Sequence, residues 1–224
     1  MGSNWEWVTL DKLGTFSTGK NFENKYSYFP TIEKIQDRIF FVDGNAIKNF
    51  LYIKQTQRYY HKRKIKNLPI IKIFPKNTVC FVNVGSFPGQ SSITKDESCI
   101  SNNIYGFNSL EKISDPKFIK YSFDFAEVKK QINSFSFTTT KRNALPLHKL
   151  CFIKFPKPPL EIQQKIGEIL SRYDLILDNH ERQIELLKNL KVSLFKEWFV
   201  KLRFPDYESH SIRGGYLKAG RESK

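Results

Sequence analysis

The feature that most constrains this chain is a run of apolar residues at helical spacing near its C-terminal end. At steps of three or four residues, one face carries Ile162, Ile166, Ile169, Tyr173, Ile176, His180, Ile184, Leu187, Leu190, Leu194 and Trp198, which we call the seam. This spacing predicts a helix and not a strand. Pro158 and Pro159 end the preceding segment and the next proline is Pro205, so we predict one helix over residues 158–203. At 1.5 Å per residue this helix would be roughly 60 Å long, and it would need a partner along its length.

The partner of this helix is predicted to be a second helix. The face away from the seam is charged, with Lys165, Glu168, Arg172, Glu181, Arg182, Lys188 and Lys191. The seam is also too long for the preceding domain to cover, so the helix suits a coiled coil. Its steps average about 3.6 residues, against 3.5 in a long heptad array, and their phase slips around His180. We therefore expect a short, irregular antiparallel pairing with little supercoil.

The residues before the helix are typical of an α/β (α+β) domain over residues 1–157. Strands are predicted at 5–10, 39–42, 70–74, 78–84, 102–107 and 151–155, because these runs are β-prone and bounded by turn residues. Helical spacing over 116–132 predicts a short amphipathic helix. Loops are predicted at 13–21, 85–90 and 134–143, and a flexible tail at 204–224, which is polar and rich in glycine.

Charge is the strongest indication of a partner. The chain has 224 residues and a net charge of +15, which favours a polyanion, with nucleic acid as the leading candidate. No acidic residue occurs between Asp43 and Asp96 or over 128–160. Cations neutralise phosphates, while Thr, Asn, Gln and Arg on loops can read base edges. The predicted DNA contacts are Lys20, Asn21, Lys54, Arg58, Tyr59, Tyr60, Lys62, Arg63, Lys64, Ser86, Gln90, Thr138, Thr139, Thr140, Lys141, Arg142 and Asn143.

Other kinds of site are not supported by the sequence. Residues 14–21 (GTFSTGKN) come within one residue of a nucleotide-binding P-loop, but Asn21 stands where Ser or Thr would hold the metal. The four histidines are scattered, and no closely spaced Cys or His pair indicates zinc. We predict no catalytic residue, metal or cofactor. The three widely spaced cysteines are typical of buried thiols in a cytoplasmic protein, and no apolar run reaches the length of a membrane span.

Several short motifs bracket the two predicted regions. PPLEIQQKI at 158–166 opens the helix, GEIL at 167–170 with Asp174 follows, and LFKEWFV at 194–200 closes it. WEWVTL at 5–10, STGK at 17–20, the strand at 79–84 followed by Gly-Ser, and the threonines at 138–140 mark the domain ahead of it. Together these motifs resemble the specificity subunits of type I restriction-modification systems. The resemblance also accounts for the near-match to a P-loop without any nucleotide.

The resemblance implies a non-catalytic subunit that recognises double-stranded DNA. It would direct a methyltransferase subunit that uses S-adenosylmethionine and, where one exists, a restriction subunit. Full-length members have two target recognition domains and two such helices, so this chain resembles a half-length form, either natural or cut from a longer gene. Two copies would then pair their helices antiparallel, with one recognition domain at each end, and read an interrupted palindrome. Two alternatives stay open: the recognition part of a fused type II restriction-methylation enzyme, and a basic coiled-coil adaptor for RNA or acidic protein.

Overall fold

In the computed structural model of the chain, short strands and helices precede one long helix. The structure describes residues 5–21, 38–53, 59–62, 71–84, 88–136, 144–205, 210–213 and 216–219. The strands are β1 (Glu6–Thr9), β2 (Gly14–Thr18), β3 (Arg38–Val42), β4 (Tyr59–His61), β5 (Val79–Val82), β6 (Ser91–Ile93), β7 (Ser98–Ile100), β8 (Ile104–Ser109), β9 (Lys154–Lys157), β10 (His210–Arg213) and β11 (Tyr216–Ala219). The helices are α1 (Pro116–Ser122), α2 (Ala126–Ser136), α3 (Leu147–Leu150) and α4 (Leu160–Phe195), and a π-helical segment, Lys196–Val200, continues α4. The chain divides into two compact units, Met1–Leu175 and Ile176–Lys224.

The strands of the first unit pair across long sequence separations. An antiparallel sheet has the order β2-β8-β5-β6, and a mixed sheet has the order β4-β3-β7, in which β3 and β7 run parallel. β1 pairs antiparallel with β9, so the two ends of the predicted domain lie together. In the second unit, β10 pairs antiparallel with β11 inside the tail that was predicted to be flexible.

β5 lies at the centre of the core. All four of its residues are buried, and successive side chains of a strand point to opposite faces of the sheet. Val79 and Phe81 therefore pack in the larger cluster, while Cys80 and Val82 pack in a second cluster on the other face. In the larger cluster the ring of Phe123 lies 4.7 Å from that of Phe81 and 5.1 Å from that of Phe155. This aromatic contact joins the sheet to the end of α1 and to β9.

The predicted fold class, an α/β (α+β) domain followed by a long C-terminal helix, is confirmed. The long helix begins directly after Pro159, as the two prolines predicted. The pairing of that helix as a coiled coil stays a prediction. None of the helices in the described ranges is long and apolar enough to cross a membrane.

Several predicted elements of the first unit are wrong in detail. Residues 13–21 were predicted as a loop, yet Gly14–Thr18 forms β2 because the whole segment pairs with β8. Described residues 71–74 form no strand and contribute a single bridge, from Phe74 to Ser98. The helix predicted over 116–132 is two helices that break at 123–125. Residues 151–155 begin with a turn after α3, so the last strand starts only at Lys154.

The first turns of α4 pack on their own domain through a polar face, which we call the docking face: Gln163, Gly167, Ser171 and Asp174. Gln163 is 1% exposed and makes three hydrogen bonds. Its side-chain oxygen accepts from the N–H of Asp115 at 3.0 Å, and its amide nitrogen donates to the carbonyls of Ile113 at 3.0 Å and Pro158 at 2.9 Å. A Cβ at Gly167 would lie 2.8 Å from the Asp115 carboxylate, so the close approach of α4 requires glycine there.

A buried ionic network closes the far end of the docking face. Lys120 on α1 is 1% exposed, and its ammonium donates to the carbonyl of Asn49 at 2.9 Å. The same ammonium lies 3.4 Å from the carboxylate of Asp174 and 3.7 Å from that of Asp124. The Tyr121 hydroxyl donates to Asp174 at 2.8 Å, and burial together with this bond raises the pKa of Tyr121. Such additional hydrogen bonds offset the cost of removing a buried ion pair from water.

Candidate nucleic-acid and helix-pairing surfaces

One edge of the antiparallel sheet collects several of the segments that were predicted to contact DNA. Because neighbouring strands run antiparallel, the C-terminal ends of β2 and β5 lie beside the N-terminal ends of β8 and β6. The described residues at these ends are Lys20, Asn21, Asn83, Gln90, Asn102 and Asn103, and we call them the loop edge. The predictions at Lys20, Asn21 and Gln90 therefore fall together, although they come from distant parts of the sequence.

The segment after β2 is held against the turn between β7 and β8. Gly19 is buried, and a Cβ there would lie 1.9 Å from the carbonyl oxygen of Ile100, so only glycine permits this approach. The backbone N–H of Lys20 then donates to the same carbonyl at 3.0 Å. The side-chain oxygen of Asn21 accepts from the N–H of Asn102 at 3.2 Å. These contacts leave the Lys20 side chain exposed beside two asparagines.

Asn83 connects the same turn to the region before α3. Its backbone N–H donates to the carbonyl of Asn103 at 3.0 Å, and its side-chain amide donates to the carbonyl of Asn102 at 3.3 Å. The carbonyl of Asn83 accepts from the N–H of Leu145 at 2.7 Å. The buried side-chain oxygen of Asn83 has no hydrogen-bond partner within the described parts of the chain.

Many predicted DNA contacts lie outside the described residues. These are Lys54, Arg58, Arg63, Lys64, Ser86 and the residues from Thr138 to Asn143. Two of their described flanks nevertheless meet at the loop edge, since Val84 forms a β-bridge with Ala144. Val84 precedes residues 85–87, and Ala144 follows residues 137–143. The fold therefore brings one flank of each of these two loops to the loop edge.

The described part of the basic segment at 54–66 lies elsewhere. Because β4 pairs antiparallel with β3, Lys62, which follows β4, lies at the end of the β4-β3-β7 sheet that is away from the loop edge. The ammonium of Lys62 forms a 2.6 Å ion pair with the carboxylate of Glu97. Tyr59 lies under the guanidinium of Arg38 at 4.5 Å, and Tyr60 is buried in the core. Both tyrosine rings are buried and so are not exposed for stacking on a base, and the DNA contacts at Tyr59 and Tyr60 stay predictions.

The loop edge offers the groups that duplex DNA requires. An exposed lysine neutralises a phosphate, and an asparagine side chain can donate and accept in one plane, as adenine recognition in the major groove needs. Asn102 and Asn103 are exposed in the turn between β7 and β8, where a strand was predicted over 102–107. Adjacent asparagines are a turn signal, and that signal could have identified them. Across the described residues, no three His, Cys, Asp or Glu side chains gather as a metal site would require.

The seam of α4 is distinct from its docking face. With 3.6 residues per turn, the docking face lies about 130° around the helix from the seam. Of the seam, Ile166 packs partly on the core of the first unit, whereas Ile169, Tyr173, Ile176, Ile184, Leu187 and Leu190 are each more than half exposed. A continuous exposed apolar stripe of this kind marks a protein interaction surface. The docking face of α4 thus contacts its own domain, and most of the seam remains exposed.

Comparisons with known proteins agree with this architecture. The profile of a family described as "Type I restriction modification DNA specificity domain" matches residues 2–189. The specificity subunit of the type I restriction enzyme MjaVIII from Methanocaldococcus jannaschii is 32% identical over 141 residues, which is 62% of this chain and 31% of that protein. The MjaIX specificity subunit from the same organism is 24% identical over 151 residues, which is 67% of this chain and 34% of that protein.

Solved structures show the same fold. The S subunit of a type I restriction-modification system from M. genitalium aligns with a TM-score of 0.64 at 19% identity, over 90% of this chain and 48% of that one. The HsdS subunit from Thermoanaerobacter tengcongensis aligns with a TM-score of 0.56 at 16% identity, over 89% of this chain and 45% of that one. The chain thus spans about a third of the length of these curated relatives and just under half of the solved chains.

Proposed function

This chain belongs to the type I restriction-modification DNA specificity family, and from that premise we propose that it reads one half-site of a bipartite DNA target. The observation that carries the proposal is the convergence at the loop edge. Lys20, Asn21, Gln90 and the flanks of two predicted DNA-contacting loops come from three separate parts of the sequence. A single sheet edge presents them together, which suits one DNA groove.

The role proposed for each DNA contact follows from the chemistry of its side chain. Lys20, Lys141 and Arg142 are proposed to hold phosphates, which sets the position of the domain on the duplex. Ser86, Gln90, Asn102 and the threonines at 138–140 are proposed to meet base edges, because their side chains donate and accept hydrogen bonds. Each well-formed base contact would discriminate against a wrong base by about 1–3 kcal/mol.

The second half-site is proposed to be read by a second copy of the chain. The exposed seam supports this pairing, because α4 uses its docking face for its own domain and leaves the seam open for another helix. The 36 residues of α4 span about 54 Å, which corresponds to roughly 16 base pairs at 3.4 Å per step. A two-fold pair of identical readers predicts an interrupted palindrome as the target.

The chain is proposed to act through partners. A DNA methyltransferase subunit that uses S-adenosylmethionine would modify the site that this chain selects, and a restriction subunit would cut unmodified DNA where the system has one. The family match does not favour the fused type II enzyme or the RNA-binding adaptor. A specificity role requires this chain to position its partner on DNA, which needs no catalytic group of its own.

Charge reversal at the proposed phosphate contacts tests the DNA interface. Lys20→Glu and the double variant Lys141→Glu/Arg142→Glu are compared with Lys76→Glu, which changes an exposed lysine before β5, at the opposite edge of the same sheet. We expect the slope of log K against log salt for a duplex of random sequence to fall by roughly 0.9 for each phosphate contact removed. Lys76→Glu should leave the slope unchanged. A fall in slope for Lys76→Glu as large as that for Lys20→Glu would show that binding follows net charge and not the predicted contacts.

A further inference from the structure

The seam of α4 reads nearly the same in both directions from His180. Ile176 and Ile184 lie four residues to either side, Tyr173 and Leu187 lie seven, Ile166 and Leu194 lie fourteen, and Ile162 and Trp198 lie eighteen. Only Ile169 and Leu190 depart from this symmetry, at eleven and ten residues. The phase slip around His180, which makes the seam a poor heptad array, is part of the same symmetric pattern.

We propose that His180 lies on the two-fold axis of a pair of antiparallel α4 helices and so sets their register. This inference rests on the proposed pairing of two copies and adds the alignment of one helix on the other. In an antiparallel pair related by a two-fold axis at one residue, each side chain faces the residue equally far on the other side of that axis. Ile176 then faces Ile184 of the second copy, and Tyr173 faces Leu187. The outer layers join Ile166 to Leu194 and Ile162 to Trp198, so nearly every layer is apolar on both sides.

Neighbouring registers place charged or polar side chains against the seam. A slip that puts Ile176 opposite His180 would also put Tyr173 opposite Gln183 and Ile184 opposite Arg172. The slip in the other direction puts Ile176 opposite Lys188 and Tyr173 opposite Lys191. Burying these groups in an apolar layer is unfavourable. The register centred on His180 avoids both arrangements, and it leaves only Ile169 facing a charged residue, Lys191, one position beyond Leu190.

Histidine is chemically suited to a position on the axis. A neutral imidazole carries one donor and one acceptor nitrogen, so two imidazoles that meet on the axis can share a hydrogen bond. A single polar residue in an otherwise apolar seam is a known means of specifying register and partner number. His180 is exposed along α4 and makes no hydrogen bond or ion pair with any described residue, so its side chain is available to the second copy.

Cysteine cross-linking of the full chain tests this register. Cys151 is first changed to alanine, because it is partly exposed while Cys80 and Cys99 are buried. A disulfide needs the two Cα atoms within about 7 Å. The proposal predicts that His180→Cys forms a covalent dimer with itself under mild oxidation. Ile176→Cys with itself should not, since eight residues of offset separate the two thiols by about 12 Å along the helix.

A mixture of differently tagged chains provides the decisive comparison. Ile176→Cys mixed with Ile184→Cys should give the heterodimer, and each variant alone should stay uncross-linked. Cross-linking of Ile176→Cys with His180→Cys, without self-linking of His180→Cys, would overturn the register. Self-linking of both Ile176→Cys and Ile184→Cys would show a parallel pair and overturn it as well. Sedimentation of the unmodified chain distinguishes failure of the pairing from failure of the register. A monomer at micromolar concentration contradicts the pairing itself, whereas a dimer with other cross-links contradicts only the register.

Discussion

The docking of α4 on its own domain makes Gln163→Ala a sharp test of the fold. The substitution removes three hydrogen bonds from a side chain that is 1% exposed, and it leaves the N–H of Asp115 and the carbonyls of Ile113 and Pro158 without their partner. Each bond contributes about 0.5–1.5 kcal/mol net, and each unsatisfied buried group costs about 1–3 kcal/mol. Because the effects of groups in one hydrogen-bond network do not add fully, we expect a loss of roughly 2–4 kcal/mol in the free energy of unfolding.

Urea unfolding of the full chain at one protein concentration, followed by circular dichroism, measures this loss. Gln164→Ala is the matched control, because the neighbouring glutamine is exposed, and it should change the free energy of unfolding by less than about 0.5 kcal/mol. Gln163→Met keeps most of the side-chain volume and removes only the polar groups, so it should lose nearly as much stability as Gln163→Ala. Equal stability of the Gln163→Ala and Gln164→Ala variants, with equal urea dependence, would refute the reasoning.

Two further predictions concern the loop edge and the buried thiols. Gly19→Val should displace the segment after β2 and weaken binding to duplex DNA, because its Cβ would lie 1.9 Å from a backbone carbonyl oxygen. Gly44→Ala should bind like the parent, because a Cβ there meets nothing within 4 Å. Equal affinities of the two variants in a fluorescence titration would contradict this prediction. At pH 8, a chromogenic disulfide reagent should react only with Cys151 in the native chain. Burial raises the pKa of both Cys80 and Cys99, and that of Cys99 rises to about 12, so both thiols stay protonated. Urea should release all three thiols, and a second reactive thiol in the native chain would count against the packing around β5 or β7.

The long helix was predictable because its seam repeats at helical spacing over many turns, and two prolines mark its start. Its docking face was not predictable in the same way. Gln163, Gly167 and Ser171 are buried, yet none is a large apolar residue, so a search for hydrophobic periodicity does not select them. Their burial depends on hydrogen bonds to α1 and the turn before it, which are distant in sequence.

The strands of the domain were predictable where they are apolar and four or more residues long, as β5 is. β6 and β7 contain serines and only three residues each, and both are buried because of neighbouring strands, not because of their own composition. For the interface, charge predicted a polyanionic partner, but it gave equal weight to every basic segment. The structure separates Lys20, exposed at the loop edge, from Lys62, which is paired with Glu97 elsewhere.

The central claim is that this chain reads DNA as a two-fold pair. Sequencing of methylated bases in cells that express the chain together with the methyltransferase subunit of its system tests that claim most directly. The account predicts methylation within one interrupted palindrome, whose two half-sites are identical and separated by a fixed number of base pairs. An asymmetric bipartite motif, or methylation that is independent of this chain, would contradict it.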